Sequence, residues 1–330
     1  MGSSRVTFEL TVDSAPGWVA QHGLNPEDAP LVATELRGGV SGTVIAITGP
    51  GVSAVLKQAL GRLRVADRWE ASPDRTETEV AALQLFEELT PGAVPRVLAH
   101  DARDHVVAME LLPTEARNWQ TEIGEGRVRP ELGRWAGDTL GTWHAGTSDR
   151  PAIAEQFDRF DAFEELRLAP FHETVMRRRP ELAADVGSCA EQLRSVRRCV
   201  VDGDYAPKNM LVAPDGRGWV FDLEVAHIGN PVFDLAFFLS FALLSAVRWP
   251  ALADELRELA DGFLAGYAAA GGDRVVSDAP SLAAHTACLM LARTDGVSPA
   301  AFLDDAARDR VRTVAVSLLA TPEAGLWSWR

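Results

Sequence analysis

The sequence predicts an α+β fold in which a small antiparallel-sheet lobe, residues 1–111, precedes a larger and mainly helical lobe, residues 112–330. Three observations predict it. Short β-rich segments and glycine turns crowd into the first third of the chain, and helical periodicities dominate after Pro113. One acidic stretch, "VDGDYAPKNMLVAPDGRGWVFDLE" from Val201 to Glu224, is the only segment that interrupts those helices, with a loop, a strand, a turn and a second strand.

The elements follow in order. Residues 30–60 read as a hairpin: a Gly-Gly turn, a strand near Val44 to Ile47, the turn "TGPG" and a strand from Ala54 to Lys57. In "SPDRTETEVAALQLFEEL" a Ser-Pro start precedes apolar positions Val80, Leu83 and Phe86 at three-residue steps, which predicts one amphipathic helix. "VPRVLAH" and "HVVAMELLP" read as two further strands ending at Pro113. Leu132, Trp135, Thr139, Leu140 and Trp143 then mark one helix face, and further helical patterns cover roughly residues 160–196, 232–247, 252–270, 280–293 and 304–320.

Composition sets limits on function. At 330 residues and 47% apolar content the chain is long and apolar enough for two ordered cores. Its net charge of −15, with no concentration of Lys and Arg, argues against a nucleic-acid partner. The nearest basic run, Met176 to Pro180, reads as a solvated helix end, and the acidic balance suits a cationic substrate or solubility alone. Cys189, Cys199 and Cys288 lack C-x-x-C spacing, which disfavours a zinc site or a disulfide framework and fits a reducing cytoplasm. "MGSSRVTFELTV" lacks the order of a signal peptide. The apolar run Leu235 to Val247 falls short of a membrane span of roughly 20 residues, so it reads as a buried core helix and no membrane partner is expected.

The acidic stretch carries the chemistry. Asp204 and Asn209 stand at the interval D-x-x-x-x-N of a kinase catalytic loop, and Asp222 follows on the next strand. Phosphoryl transfer needs alignment and charge neutralisation, and Mg²⁺ held by one or two carboxylates supplies much of the latter. Asn209 and Asp222 fit the metal, and Asp204 fits the base that takes the acceptor's proton. Glu224 faces the same way as Asp222 along an extended segment, toward either the metal or a backbone or solvent partner. Upstream, "RGGVSGTV" offers Gly38, Gly39 and Ser41 as a loop that approaches phosphates closely. Lys57 ends the next strand and can pair with the phosphates of ATP, steadied by Glu77 or Glu79 on the helix.

"DGDYAPKNMLV", "WVFDLEVAHIGNPVFDLAFFL" and "LGTWHAGT" resemble the aminoglycoside phosphotransferase-like superfamily of small-molecule kinases, over most of residues 36–245. The resemblance implies a protein-kinase-like bilobal fold, ATP and Mg²⁺ as cofactors, a small-molecule acceptor, and a hinge around Glu110 and Leu112 whose backbone meets the adenine. "LKQALGRLRVADRW…DRTETEVAAL" is similar to methylthioribose kinases, and that phrase puts the family lysine at Lys57 and its glutamate at Glu79 rather than Glu77. The resemblance also implies that Asp234 braces the catalytic loop and that His144 and His227 are structural. Asp202 stands where the family has histidine, and is expected to turn to a backbone or arginine partner.

The acceptor is small, because the interval from Asp222 to the helix near Val232 leaves no room for an activation segment and a peptide platform. Arg293 and Asp295, at a helix-to-loop transition, project toward the acceptor or cap helix carbonyls; Arg167, in "FDAFEELRLAPFHE", lines the acceptor site or an ordinary core face. Kinase chemistry on a sugar-like hydroxyl or an aminoglycoside is the leading expectation. A methylthioribose kinase proper and a nucleotide-binding module with impaired catalysis are the alternatives.

Overall fold

The computed structural model describes residues 8–36, 42–61, 72–274 and 278–329, and it divides into two compact units, Met1–Thr114 and Glu115–Arg330. In the first unit five strands, β1 (Val32–Glu35), β2 (Gly42–Gly49), β3 (Val52–Ala59), β4 (Val97–Asp101) and β5 (Val106–Glu110), form an antiparallel sheet of order β1-β2-β3-β5-β4. The register sets Lys57 opposite Val44 on one side and Val107 on the other. Side chains alternate along β3, so Leu56 and Lys57 face opposite ways. Leu56 joins Ala54, Ile45, Ile47, Val106 and Ala108 in a core closed by Trp18 and Val19 of α1 (Ala15–Gln21). Lys57 reaches α2 (Arg75–Leu89), whose Val80, Leu83 and Phe86 are buried as their spacing predicts.

Helix α1 was not legible as an element, and Gln58 shows what holds the segment before it. Its Oε1 accepts the N–H of Leu10 at 2.8 Å, and its Nε2 donates to the carbonyls of Phe8 at 2.9 Å and Asp104 at 2.8 Å. One amide thereby ties the N-terminal segment to the sheet.

The second unit is mainly helical. Strand β6 (Arg117–Asn118) leads to α3 (Trp119–Gly124), α4 (Glu131–Thr147), α5 (Pro151–Gln156) and the turn α6 (Asp161–Phe163). A ten-residue π-helix, Glu164–Glu173, with Pro170 inside it, runs on into α7 (Thr174–Arg178) and then α8 (Ala183–Ser195). Short strands β7 (Cys199–Val201), β8 (Met210–Val212), β9 (Gly218–Val220) and β10 (His227–Gly229) precede α9 (Val232–Arg248), α10 (Ala253–Ala269), α11 (Ala279–Asp295) and α12 (Asp305–Ala320). The acidic stretch is therefore not the only interruption: β6 pairs with β8 in the sheet β6-β8-β9, and β10 pairs with β7. Two residues of β6 are too short to leave a periodicity in the sequence.

Every residue of α9 from Val232 to Val247 is buried, as the apolar run predicts, and no helix among the described residues is long and apolar enough to cross a membrane. Around it α4 and α10 approach backbone to backbone. A Cβ on Gly137 would lie 1.9 Å from the carbonyl oxygen of Phe263, one on Gly133 2.1 Å from that of Leu259, and one on Gly266 2.3 Å from that of Arg134. Glycine at these positions sets the spacing of the two helices.

Gly137→Ala drives a methyl into backbone that has no rotamer to yield, so it is expected to destabilise the chain by about 1–3 kcal/mol or more in urea denaturation; an unchanged midpoint contradicts the close approach. The buried histidines make stability depend on pH. Burial holds His172 down to a pKa of about 3, with His285 and Arg194 adding to the effect, and holds His227 and His285 down to about 4. The unfolded chain takes those protons near pH 6.5 and the folded chain does not, so stability falls as pH drops from about 6.5 toward about 4. Neither ring nitrogen of His172 has a hydrogen-bond partner among the described residues. His172→Leu is therefore expected to make that decline shallower by about 1.4 kcal/mol per pH unit, read by thermal or urea unfolding across the range.

Candidate active site

Leaving β7 at Val201, the chain makes a turn that only glycine fits well. Gly203 has φ +78°, and a Cβ there would stand 3.1 Å from the carbonyl oxygen of Val225. Asp234, in the first turn of α9, fixes the turn: its Oδ2 accepts the N–H of Asp202 at 2.7 Å and its Oδ1 that of Gly203 at 2.8 Å. His144 of α4 stands with Nε2 3.2 Å from Asp234 Oδ2 and Nδ1 3.0 Å from the hydroxyl of Tyr267. Tyr205 anchors the other side of the loop, donating to the carbonyl of Ala136 at 2.7 Å and setting its ring edge-on to Trp143. His144 and Asp234 are thus structural, and Asp204 is held between two anchored neighbours.

The carboxylate of Asp204 is buried and its two oxygens differ. Oδ2 takes the Nδ2 of Asn209 at 2.7 Å, the ammonium of Lys208, and Nη2 of Arg167 at 3.1 Å. Oδ1 has no protein donor among the described residues. Arg167 projects from the π-helix and is held there by its own bonds, Nε to the carbonyl of Gly203 at 2.6 Å and Nη1 to that of Leu166 at 2.8 Å.

Asp202 turns to the backbone, accepting the N–H of Asp204 on Oδ1 at 3.1 Å, while its Oδ2 is buried without a partner among the described residues. Burial first, then the neighbouring charges of Asp234 and Asp204, push its pKa well above the usual 3.8. The side chain in the histidine position thus turns to the backbone of its own loop.

Asn209 turns its amide N–H₂ to Asp204, to Oδ2 and also to the main-chain carbonyl at 3.2 Å, which leaves Oδ1 with no donor among the described residues. The N–H of Phe221 donates to the carbonyl of Asn209 at 3.0 Å, so Asp222 enters directly beside that turn. Asp222 is half-buried with φ +68°, a strained conformation for a residue with a side chain, and Glu224 is buried. Among the described residues no group of three His, Cys, Asp or Glu side chains forms a metal cage. An Mg²⁺ that keeps waters and phosphate oxygens as ligands does not require one, and the unpartnered Oδ1 of Asn209 together with the carboxylate of Asp222 fits such an ion.

The acceptor-side expectations separate. Arg293, near the end of α11, donates to the carbonyl of Ser298 at 2.6 Å, and the charges of both Asp204 and Arg167 act on it. Asp295 is occupied elsewhere: it pairs with Arg179 at 3.2 Å and Arg312 at 2.8 Å, while Arg178 donates to the carbonyls of Asp295 and Gly296. The basic run Met176 to Pro180 is therefore not simply a solvated helix end, because Arg178 and Arg179 tie α7 to the end of α11.

In the first unit Lys57 and Glu79 form a buried ion pair at 2.8 Å, whereas Glu77 lies against His100 at 3.3 Å. Arg96 pairs with the side chain of Glu110 at 2.6 Å, and the N–H of Leu112 has no hydrogen-bond partner among the described residues. Gly38, Gly39 and Ser41 lie outside the described residues. Sequence reasoning missed Lys208, whose place one helical turn after Asp204 was the available signal, and missed the π-helix, which no periodicity announces.

Residues 32–278 match the phosphotransferase enzyme family. The methylthioribose kinase of one Bacillus cereus strain is 29% identical over 150 residues, 45% of this chain and 38% of that protein; the one of Bacillus cereus strain AH820 is 31% identical over 145 residues, 43% and 36%. The matches thus span less than two-fifths of these relatives. Among solved structures, a Plasmodium vivax ethanolamine kinase aligns with TM-score 0.60 at 10% identity, covering 93% of this chain and 88% of its own. A choline kinase from Streptococcus pneumoniae gives 0.54 at 14%, covering 93% and 100%, and an aminoglycoside phosphotransferase from Alicyclobacillus acidocaldarius gives 0.53 at 16%, covering 97% and 98%. These likenesses establish a kinase-like fold, and with three quarters of its length matched the chain belongs to the phosphotransferase enzyme family.

Proposed function

We propose that the chain is a kinase that moves the γ-phosphate of ATP, with Mg²⁺, onto a hydroxyl of a small sugar-like molecule. The observation that carries this reading is the division of labour on Asp204: three donors hold Oδ2, and Oδ1 is left to receive a proton. The acceptor hydroxyl gives its proton to Oδ1 as its oxygen bonds to the γ-phosphorus, and the bond from that phosphorus to the bridging oxygen of ADP breaks. Asn209 Oδ1 and Asp222 would hold Mg²⁺, with Glu224 beside them; the ion would neutralise charge on the phosphates. Lys57, kept in place by Glu79, would pair with the nucleotide phosphates, Gly38, Gly39 and Ser41 would approach them, and the N–H of Leu112 after Glu110, which has no partner among the described residues, would meet the adenine. Methylthioribose as acceptor is a second reading, favoured by the 29–31% identity to methylthioribose kinases.

ADP release from Mg-ATP across sugars, thioriboses, sugar acids, nucleosides and aminoglycosides tests the reaction. Asp204→Asn is expected to lower turnover by about 10²–10⁴-fold while calorimetry shows nucleotide binding unchanged; equal turnover in the variant sinks the assignment of the base. Turnover by the parent chain separates the kinase from a module with impaired catalysis, and Asp202→Asn tests whether a charge on Asp202 takes part. Asp202 accepts one backbone N–H through Oδ1, which the amide oxygen of Asn can also do, so the variant is expected to keep turnover and to change stability by about 1 kcal/mol at most, whereas loss of turnover with unchanged folding assigns Asp202 a charged role.

A further inference from the structure

The charges around Asp204 are of the wrong sign for a cationic acceptor. Arg167 and Lys208 both pair with this one carboxylate, and Arg293, a third cation, lies close enough for the charges of Asp204 and Arg167 to act on it. Asp295, two residues beyond Arg293, is neutralised by Arg179 and Arg312. Arg293 itself has no carboxylate within ion-pair distance among the described residues; its only protein acceptors there are the carbonyl and hydroxyl of Ser298, both taken by Nη1. A half-buried guanidinium without a counter-ion is costly to the folded chain, and burial accordingly lowers its pKa. Nε and Nη2 remain available as a donor fork of the shape that matches a carboxylate or phosphate.

The position of Arg293 is fixed by the elements around it. The end of α11 is stapled to the π-helix that carries Arg167: the N–H of Val297 donates to the carbonyl of Pro170 at 3.1 Å, and Arg178 donates to the carbonyls of Asp295 and Gly296. Phe171 of the same π-helix stacks on Phe237 of α9 with centroids 6.2 Å apart and planes 7° from parallel. Arg167 lies over the first ring and Lys208 over the second.

We propose that Arg293 reads an oxyanion on the acceptor, so that the molecule phosphorylated is a hydroxylated carboxylate or phosphate ester rather than a neutral sugar or an amine. This rests on the kinase reading and narrows its substrate class. The Phe171–Phe237 pair forms the apolar floor beside the cations, and Arg167 remains committed to Asp204. Coulomb repulsion from three cations then works against aminoglycosides and aminoalcohols at the same position.

Binding is measured by calorimetry without nucleotide, on ribose, ribonate, ribose 5-phosphate and an aminopentitol, at low and high salt. At least one anion is expected to bind tenfold or more tighter than ribose, with the advantage shrinking in high salt; whether ribonate or ribose 5-phosphate leads identifies the oxyanion. Arg293→Gln is expected to erase that advantage and leave the affinity for ATP unchanged, and Arg293→Lys, which keeps the charge without the fork, to restore part of it. The proposal is overturned if neither anion binds better than ribose, if the amine binds as well, or if Arg293→Gln weakens ATP instead of the anion. Asp204-dependent turnover on neutral or cationic acceptors with no effect of Arg293 defeats this inference alone. Anion binding that depends on Arg293, without any Asp204-dependent transfer, defeats the kinase reading alone.

Discussion

The carboxylate of Asp234 is the contact on which the candidate site depends. It accepts two consecutive backbone N–H groups, of Asp202 and Gly203, and the ring of His144, with no exposure to solvent. Hydrogen bonds to a charged acceptor contribute about 1.5–3 kcal/mol each, and this acceptor also sits in the first turn of α9, where the helix dipole favours a negative charge. A loop bonded to a buried helix inherits that helix's rigidity. The direction of Asp204 is therefore set by the core of the second unit rather than by the loop's own preferences.

That core is arranged to transmit the constraint. The glycines of α4 and α10 let the two helices close to backbone contact, which brings His144 to Tyr267, while α4 also offers His144 to Asp234 and the carbonyl of Ala136 to the hydroxyl of Tyr205. Tyr205 then fills the space between Trp143, Phe238 and Phe263. Electrostatics adds a second layer. The chain carries a net charge of −15, yet Asp204 is paired with Arg167 and Lys208 and its charge acts on Arg293, so the overall acidity says little about the field an acceptor would meet.

Much of this was legible because it is local in sequence. The period-two and period-3.6 patterns mark the hairpin, α2, α4 and α9, and the spacing from Asp204 to Asn209 to Asp222 marks the loop. The preference for Glu79 over Glu77 rests on a phrase of sequence, and the geometry pairs Glu79 with Lys57. What stayed hidden depends on contacts distant along the chain. The partners of Asp295 lie 116 and 17 residues away, and the N-terminal segment is held by an amide nearly fifty residues on. The upward shift of the Asp202 pKa depends on a burial that no residue pattern reports.

Asp234 orders the loop that carries Asp204. The direct measurement is turnover and nucleotide affinity of Asp234→Asn, compared at a temperature where both proteins are folded. Asn keeps the size of the side chain but offers one acceptor oxygen where two backbone N–H groups need one each, so the loop shifts while the Lys57–Glu79 ion pair of the first unit is untouched. Turnover is expected to be lower by roughly a hundredfold with unchanged affinity for ATP, the cost of misplacing a reacting group by about 1 Å. Turnover equal to that of the parent chain contradicts this dependence of Asp204 on Asp234.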